Sequence, residues 1–426
     1  MSKQENKALV PERRFSEFRD AGGWVYKPFE EIFKRLTTKN SEDNQNALTI
    51  SAQLGLVSQL DYFNKKVAAK DLSAYYLLHK GDFAYNKSYS QGYPMGTIKR
   101  LKQYDKGVVS TLYMCFRTKK EFNESFFEHY FETGLLNPEI GKIAQEGGRA
   151  HGLLNVSVTE FFKDVNLLVP ETEEQQKIAD CLTSVDELIT AQSQKLAALK
   201  THKKGLMQQL FPAEGETVPK LRFPEFWDKG EWAVKKLEEL ARRGSGHTPN
   251  KQVSSYYNGG IKWVSLADSN KLDVGYIYNT KIEISKEGIE NSSAVLHPAG
   301  TVILSRDAGV GKSAVLHSEM AISQHFIAWD CNDSELSNWF LYYKLQILKP
   351  TFERIAVGST IKTIGLPYFK EMHISIPSLS EQQKIASCLA SLDELIATQT
   401  QKLDALKAHK KGLMQQLFPA INEVNS

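Results

Sequence analysis

The sequence predicts a mixed α/β (α+β) protein in which two globular segments are joined by two long helices, paired as an antiparallel coiled coil with pseudo-twofold symmetry. Three observations predict it. The forty residues from Glu174 to Ala213 return 207 positions later, from Glu381 to Ala420, with only eight substitutions. Shared helix propensity does not produce that much identity, so the segment is an internal duplication. Both copies carry an apolar heptad. The stretches outside them mix short β-like runs with helical ones and differ between the two halves of the chain.

With 426 residues the chain is too long for one ordinary core, and the duplication divides it near residue 212. The opening residues, MSKQENKALVPERRF, are polar and lack the apolar centre of a signal peptide. No stretch reaches about 18 uninterrupted apolar residues, so a cytoplasmic protein is expected. Val10-Pro11, Arg14-Phe15, Glu17-Phe18, Gly22 and Trp24 recur as Val218-Pro219, Arg222-Phe223, Glu225-Phe226, Gly230 and Trp232. Lys27, Glu30 and Glu31 then recur as Lys235, Glu238 and Glu239. The expected boundaries are a first globular segment over 1–170, a central helix over 171–212, a second globular segment over 213–377, and a C-terminal helix and tail over 378–426.

Along the first helix, Ile178, Val185, Gln192, Leu199 and Leu206 occupy one heptad position and Leu182, Ile189, Leu196, Lys203 and Leu210 the other. The second copy repeats this with Ile385, Leu392, Gln399, Leu406 and Leu413, and with Leu389, Ile396, Leu403, Lys410 and Leu417. Thr172 with Gln175 and Ser380 with Gln383 offer capping-box starts; Phe211-Pro212 and Phe418-Pro419 supply stops. A helix of about 37 residues spans about 55 Å. Antiparallel pairing would place the two globular parts at opposite ends, parallel pairing side by side. The polar seam residues Gln192 and Gln399 lie mid-helix, where an antiparallel pair would bring them together to fix register. Lys203-Lys204 and Lys410-Lys411 read most simply as solvated helix faces, although Lys203 and Lys410 fall on the seam; use by a partner subunit or nearby DNA is the alternative.

Between the shared edges, Thr301 to Ser305, His373 to Pro377 and Val165 to Val169 read as strands, and Glu124 to Thr133 and Ser334 to Leu348 as helices. The cysteines, Cys115, Cys181, Cys331 and Cys388, form no C-x-x-C pair and read as small reduced hydrophobes. A net charge of +3 neither demands nor excludes a polyanionic partner.

The first half carries Lys80-Gly81-Asp82-Phe83-Ala84-Tyr85-Asn86-Lys87-Ser88, then Gly92-Tyr93-Pro94-Met95-Gly96-Thr97-Ile98-Lys99-Arg100-Leu101 and Gly107-Val108-Val109-Ser110. The second carries Gly246-His247-Thr248-Pro249, Gly260-Ile261-Lys262-Trp263-Val264, Ala299-Gly300-Thr301-Val302-Ile303-Leu304-Ser305-Arg306 and Ser323-Gln324-His325-Phe326. Together with the repeated helix, these resemble the specificity (S) subunits of type I restriction-modification systems over essentially the whole chain. The resemblance implies a non-catalytic DNA-binding subunit whose two target-recognition domains each read one half of a bipartite asymmetric site. It implies that the helices set the gap and dock two modification (methyltransferase) subunits. S-adenosylmethionine, ATP and Mg would then belong to partner subunits, which carry adenine methylation and, in a restriction/translocase subunit, ATP-driven cleavage.

Several residues are candidates for touching double-stranded DNA. Lys87, Ser88, Lys99 and Arg100 stand in a glycine-interrupted, tyrosine-rich segment, where cations hold phosphates and Arg reads guanine edges; a polar turn beside packed tyrosines would look the same. Gly147 to Gly152, holding Arg149 and His151, matches the place of a glycine-marked loop that faces DNA in the family. Gly358 to Lys362, with Thr360 and Lys362, occupies the comparable place in the second half, and a plain glycine turn is the alternative for both. His151 has no cysteine or carboxylate partners at metal-site spacing, so no metal is expected.

Ala308-Gly309-Val310-Gly311-Lys312-Ser313 invites a phosphate-loop reading, but Arg306 stands where that motif needs a glycine. A loop in which Arg306 and Lys312 meet the DNA backbone is the preferred reading. Two other function classes remain in view: a protein-interaction scaffold with coiled-coil arms, and a nucleotide-binding enzyme. Neither methyltransferase signature, Asn-Pro-Pro-Tyr or Asp-Pro-Pro-Tyr, is present.

Overall fold

The computed structural model describes residues 9–65, 67–144, 154–359 and 361–420. It divides into two compact units, Met1–Ala191 with Leu403–Ser426, and Gln192–Lys402. Each unit therefore holds one globular domain, the start of one long helix and the end of the other. The helices run Thr172–Leu210 and Leu379–Leu417, 39 residues each.

Both domains open and close on the same device. In the first, the strand Val25–Pro28 pairs antiparallel with Asn166–Val169; in the second, Ala233–Lys236 pairs with His373–Ile376. A one-turn helix follows the entering strand in each, Phe29–Ile32 and Leu237–Leu240. The leaving strand ends at a proline, which cannot extend a ladder. The carbonyls of Pro170 and Pro377 accept from the side-chain amides of Gln175 and Gln382 at 2.9 and 3.0 Å. The expected capping boxes are not formed. Thr172 instead donates to the Glu121 carbonyl, Ser380 pairs with the Ser378 hydroxyl, and the second helix already begins at Leu379.

Between these common edges the domains diverge. The first contains a four-stranded antiparallel sheet in the order Phe33–Leu36, Met114–Thr118, Phe83–Asn86, Thr97–Arg100, beside two two-stranded ribbons, Leu48–Ser51 with Gly55–Ser58 and Tyr76–His79 with Lys106–Val109. Its core is largely aromatic, with Phe29, Phe33, Phe83, Phe116, Phe126 and Phe127 fully buried. Phe29 and Phe33 each meet Phe116 edge-on at 4.9 and 5.0 Å, the arrangement ring quadrupoles favour. The second contains a five-stranded sheet in the order Ala241–Ser245, Phe326–Cys331, Val302–Ser305, Ser313–Leu316, Tyr276–Ile277, and a four-stranded sheet built on Tyr257–Val264. Val302–Ser305 is buried on both faces, as its unbroken apolar run implies.

Each domain seats one helix of its own on the long-helix pair. Glu124–Glu132 in the first and Asn338–Ile355 in the second start at Asn123 and Ser337, whose side chains cap the amides of Phe126 and Phe340. The backbone amides of those two caps donate to the side chains of Gln175 and Gln382 at 3.1 and 2.9 Å. Phe126 then packs on Phe418 at 5.4 Å and Phe340 on Phe211 at 5.1 Å. The repeated Phe-Pro stops are thus core anchors as well as terminators.

The repeated entry segments are tied to the repeated helices. Arg14 meets Glu174 through two charge-assisted hydrogen bonds of 2.8 and 2.6 Å; Arg222 meets Glu381 through two of 2.7 Å. The carboxylates are buried, at 2% and 1% exposure, and the arginine side chains over them are 9% exposed.

Within each unit the long helices run antiparallel. In the second unit Gln192 faces Gln399 and, further along, Lys203 faces Asp393. In the first, Lys410 faces Asp186 while Leu417 and Phe418 share a core with Ile178 and Leu182. The heptad seam is the covered face. Ile178, Leu182, Val185, Gln192, Leu196, Ile385, Leu389 and Leu403 are buried; Ile189, Leu199, Leu392, Ile396, Gln399 and Leu406 are half-buried. The Gln192 amide donates to the Gln399 side-chain oxygen at 2.8 Å and to its backbone oxygen at 3.1 Å.

Lys203 and Lys410 do not lie on solvated faces. They are half-buried and bind Asp393 and Asp186 at 2.5 and 2.7 Å, while Lys204 and Lys411 remain exposed. Each of these aspartates also faces one group from the domain of its own unit. Tyr343 donates to Asp393 at 2.8 Å, and His129 stands 3.9 Å from Asp186. Among the described residues no helix is long and apolar enough to cross a membrane.

Candidate nucleic-acid interface

In the first domain the four candidate residues at Lys87 to Arg100 separate into two groups. Gly96, with φ of +81°, closes the chain tightly onto the end of the Phe83–Asn86 strand. A Cβ there would come within 2.4 Å of the Asn86 carbonyl, so this close return requires glycine. Tyr85 is fully buried, donates to the Met95 carbonyl at 2.6 Å and stacks on Phe161, which fixes the base of the loop.

Lys87 and Ser88 leave from that base. They are half-buried and line a cleft of about 400 Å³ with Arg35, Asn86 and Tyr113. Lys99 and Arg100 instead turn toward the Glu124–Glu132 helix. Lys99 binds Glu132 at 2.5 Å over the ring of Tyr93, and Arg100 binds Glu124, Glu128 and Ser125. Burial, with Glu132 beside it, pushes the Tyr93 hydroxyl well above its ordinary value, so it stays a donor in this cluster. The carboxylates at positions 124, 128 and 132 fall one helical turn apart, a stripe readable in the sequence as a partner for these cations. Arg149 and His151 lie outside the described residues.

In the second domain the candidates converge. Arg306 ends the strand Val302–Ser305, and the following loop turns through Ala308, Gly309 and Gly311, at φ of +38°, +107° and +86°. The amide of Gly311 returns to the Ser305 carbonyl at 2.9 Å. Lys312 reaches the backbone oxygen and hydroxyl of Ser269 at 3.1 and 3.2 Å. A strand, Ser313–Leu316, follows Lys312. A phosphate loop instead leads into a helix N-terminus, so the nucleotide reading loses its geometry as well as its motif.

Two further loops join this one. The Arg306 amide donates to the His325 carbonyl, and the Ile364 amide donates to the Arg306 carbonyl. Val357 pairs with Thr363 across the Gly358 turn, leaving Ile361 and Lys362 exposed at its tip. Thr360 lies outside the described residues. Asp307, which no motif in the sequence singles out, sits at the junction of all three loops. Arg306 and Lys362 therefore come from loops that are hydrogen-bonded to one another, while the Lys312 ammonium is folded back onto Ser269.

A family model for the type I restriction modification DNA specificity domain matches residues 22–201 and again residues 229–408. The chain is 28% identical over 189 residues to the type I restriction enzyme MjaIX specificity subunit of Methanocaldococcus jannaschii, covering 44% of each. It is 26% identical over 276 residues to the putative MjaX specificity subunit of the same organism, covering 63% of this chain and 62% of that one. It thus spans less than two thirds of the length of these two relatives. A solved S subunit of a type I restriction-modification system from M. genitalium shares the fold, with a TM-score of 0.58 at 13% identity, over 97% of this chain and 100% of that one. With the domain model matching most of its length in two copies, the chain belongs to the type I restriction-modification DNA specificity family.

Proposed function

We propose that the chain is the DNA sequence-recognition subunit of a type I restriction-modification complex, each domain reading one half of a bipartite asymmetric site. One observation carries this most: a duplicated scaffold bears unlike surfaces. The buried Arg–Glu pairs, the cap-binding glutamines and the Lys–Asp contacts recur, whereas the sheets and loops they support differ. Relatives named as specificity subunits of type I restriction enzymes support the same reading.

The helices would set the gap and dock two modification subunits. A 39-residue helix offers about 58 Å for that purpose. Leu188 and Leu395 hold the same position in the two copies and are both exposed off the seam, as equivalent docking faces require. Adenine methylation with S-adenosylmethionine, and ATP- and Mg-dependent translocation with cleavage, would reside in those partners and a restriction subunit. This chain would contribute recognition without catalysis. Lys87, Ser88, Arg306, Lys312 and Lys362 are the described residues assigned to DNA; Lys99 and Arg100 join them only by exchanging carboxylates for phosphates.

The test is a map of methylated adenines in host DNA with and without the gene. A bipartite motif that disappears on deletion is expected, and an unchanged map with intact partner subunits overturns the reading. A protein-only scaffold is separated by DNA binding that weakens steeply with salt, since neutralising several phosphates releases counterions.

A further inference from the structure

We propose that Asp307 is the positioning residue of the second domain's DNA surface, locking three loops together and presenting Arg306 to a backbone phosphate. This rests on the recognition function above. The Asp307 carboxylate is largely buried, at 12% side-chain exposure. One oxygen lies 2.9 Å from His325 Nδ1; the other accepts from the Thr363 hydroxyl and stands 3.8 Å from Arg306 Nε. Its own carbonyl accepts from Ser305 at 2.6 Å. One side chain thus ties together the loops before Lys312, around His325 and beyond Gly358.

The inner end of Arg306 is buried beside Asp307. Its Nε is buried and makes no hydrogen bond, with Asp307 as its neighbouring counter-charge, while the side chain as a whole keeps 21% exposure. An arginine that reads guanine extends its length into the major groove to place both terminal nitrogens on one base. With Nε inside the protein, Arg306 offers only its tip at the surface. That reach suits a phosphate, which lies on the outside of the duplex. Lys362 is exposed on the neighbouring loop, and Gly309, exposed at a positive φ, leaves the turn after Arg306 without a side chain. Without the Asp307 charge, the guanidinium loses the group that orients it and the three loops lose their common anchor.

The experiment uses the complete complex with its modification subunits and measures affinity across a salt series. Two duplexes are compared: one carrying the motif found by adenine mapping, the other an unrelated sequence of equal length. Arg306→Gln is expected to weaken both by the same factor, roughly ten- to a hundredfold. It should also reduce the slope of log affinity against log salt by about 0.9 and leave the methylated motif unchanged. Asp307→Asn, which keeps the shape and an acceptor for His325, is expected to reproduce that loss. The double variant should be no weaker than Arg306→Gln alone, the mark of two residues acting through one contact.

A motif that relaxes at one base pair in Arg306→Gln would overturn the proposal in favour of base readout. An unchanged salt slope in that variant would overturn it outright. Additive losses in the double variant would reduce Asp307 to a structural role and overturn its positioning assignment. Arg306→Gln leaves the bonds from Asp307 to His325 and Thr363 in place, so it stays informative even where Asp307→Asn folds poorly. Failure of the underlying recognition function reads differently: the unaltered complex would then bind neither duplex in a salt-dependent way.

Discussion

Replacing Arg14 with Ala strips Glu174, whose side chain is 2% exposed in the intact pair, of both charge-assisted hydrogen bonds. Removing one member of a buried pair costs about 3–5 kcal/mol, chiefly because the survivor keeps its desolvation penalty. Arg14 also donates to the carbonyls of Ala21 and Gly22 at 2.8 and 2.9 Å, which places the expected cost in the upper part of that range. For a unit of roughly 200 residues a cost of about 4–5 kcal/mol corresponds to a fall in Tm of about 8–20 °C. Thermal unfolding gives the total, and amide hydrogen exchange locates it.

The loss should begin in the entry segment, where the Trp24 amide bonds the Leu9 carbonyl and the Trp24 ring meets Phe418 edge-on at 5.9 Å. Replacing both partners, as Arg14→Met with Glu174→Met, should recover most of the loss, because no unpaired charge then remains buried. The matched change Arg222→Ala should act on the second unit in the same way. An Arg14→Ala cost below about 1 kcal/mol, the level of an exposed pair, would refute the reasoning.

Two further outcomes follow from the helix pair. Gln192→Leu alone should cost about 1–2 kcal/mol by leaving the Gln399 side-chain oxygen without its donor, and Gln192→Leu with Gln399→Leu should recover it; denaturant unfolding of the four-member cycle checks this. His129 supplies a pH dependence. Burial, reinforced by Lys410 and opposed by Asp186 and Glu128, pushes its pKa down from 6.5 to about 4. The unfolded chain then binds the extra proton first, so the stability of this unit should fall as pH drops from 6.5 toward 4, by up to about 1.4 kcal/mol per pH unit, and level off below. His129→Tyr, which copies the aspartate-binding Tyr343 of the second unit, should flatten that slope in unfolding measured at successive pH values.

The long helices were legible because their information is local and periodic. A heptad places the same side chains on one face whatever surrounds them, and each of its seam positions is covered in the structure. The strands at Val302–Ser305, His373–Ile376 and Asn166–Val169 were legible for the same reason, being short apolar runs bounded by turn residues. The candidate interface was only half legible. Lys87 and Lys99 stand close in sequence on opposite sides of one turn, and pattern alone does not say which of them faces the acidic stripe of the Glu124–Glu132 helix. The seam lysines 203 and 410 read as solvated from sequence because their aspartate partners, Asp393 and Asp186, lie on the other copy of the helix.

The sequence by itself determined the duplication, the heptad seam, the family resemblance and the division into two unlike domains, since each is written in repetition, spacing or motif. Tertiary structure alone decided which charges are spent inside the protein and which remain for a partner. Arg14 and Glu174 are 160 residues apart, Arg222 and Glu381 159, and Asp307 and Thr363 56. No local pattern joins groups at such separations. The partner of a buried charge is chosen by desolvation in the folded core, where an unpaired ion is costly, and that choice exists only once the chain has closed.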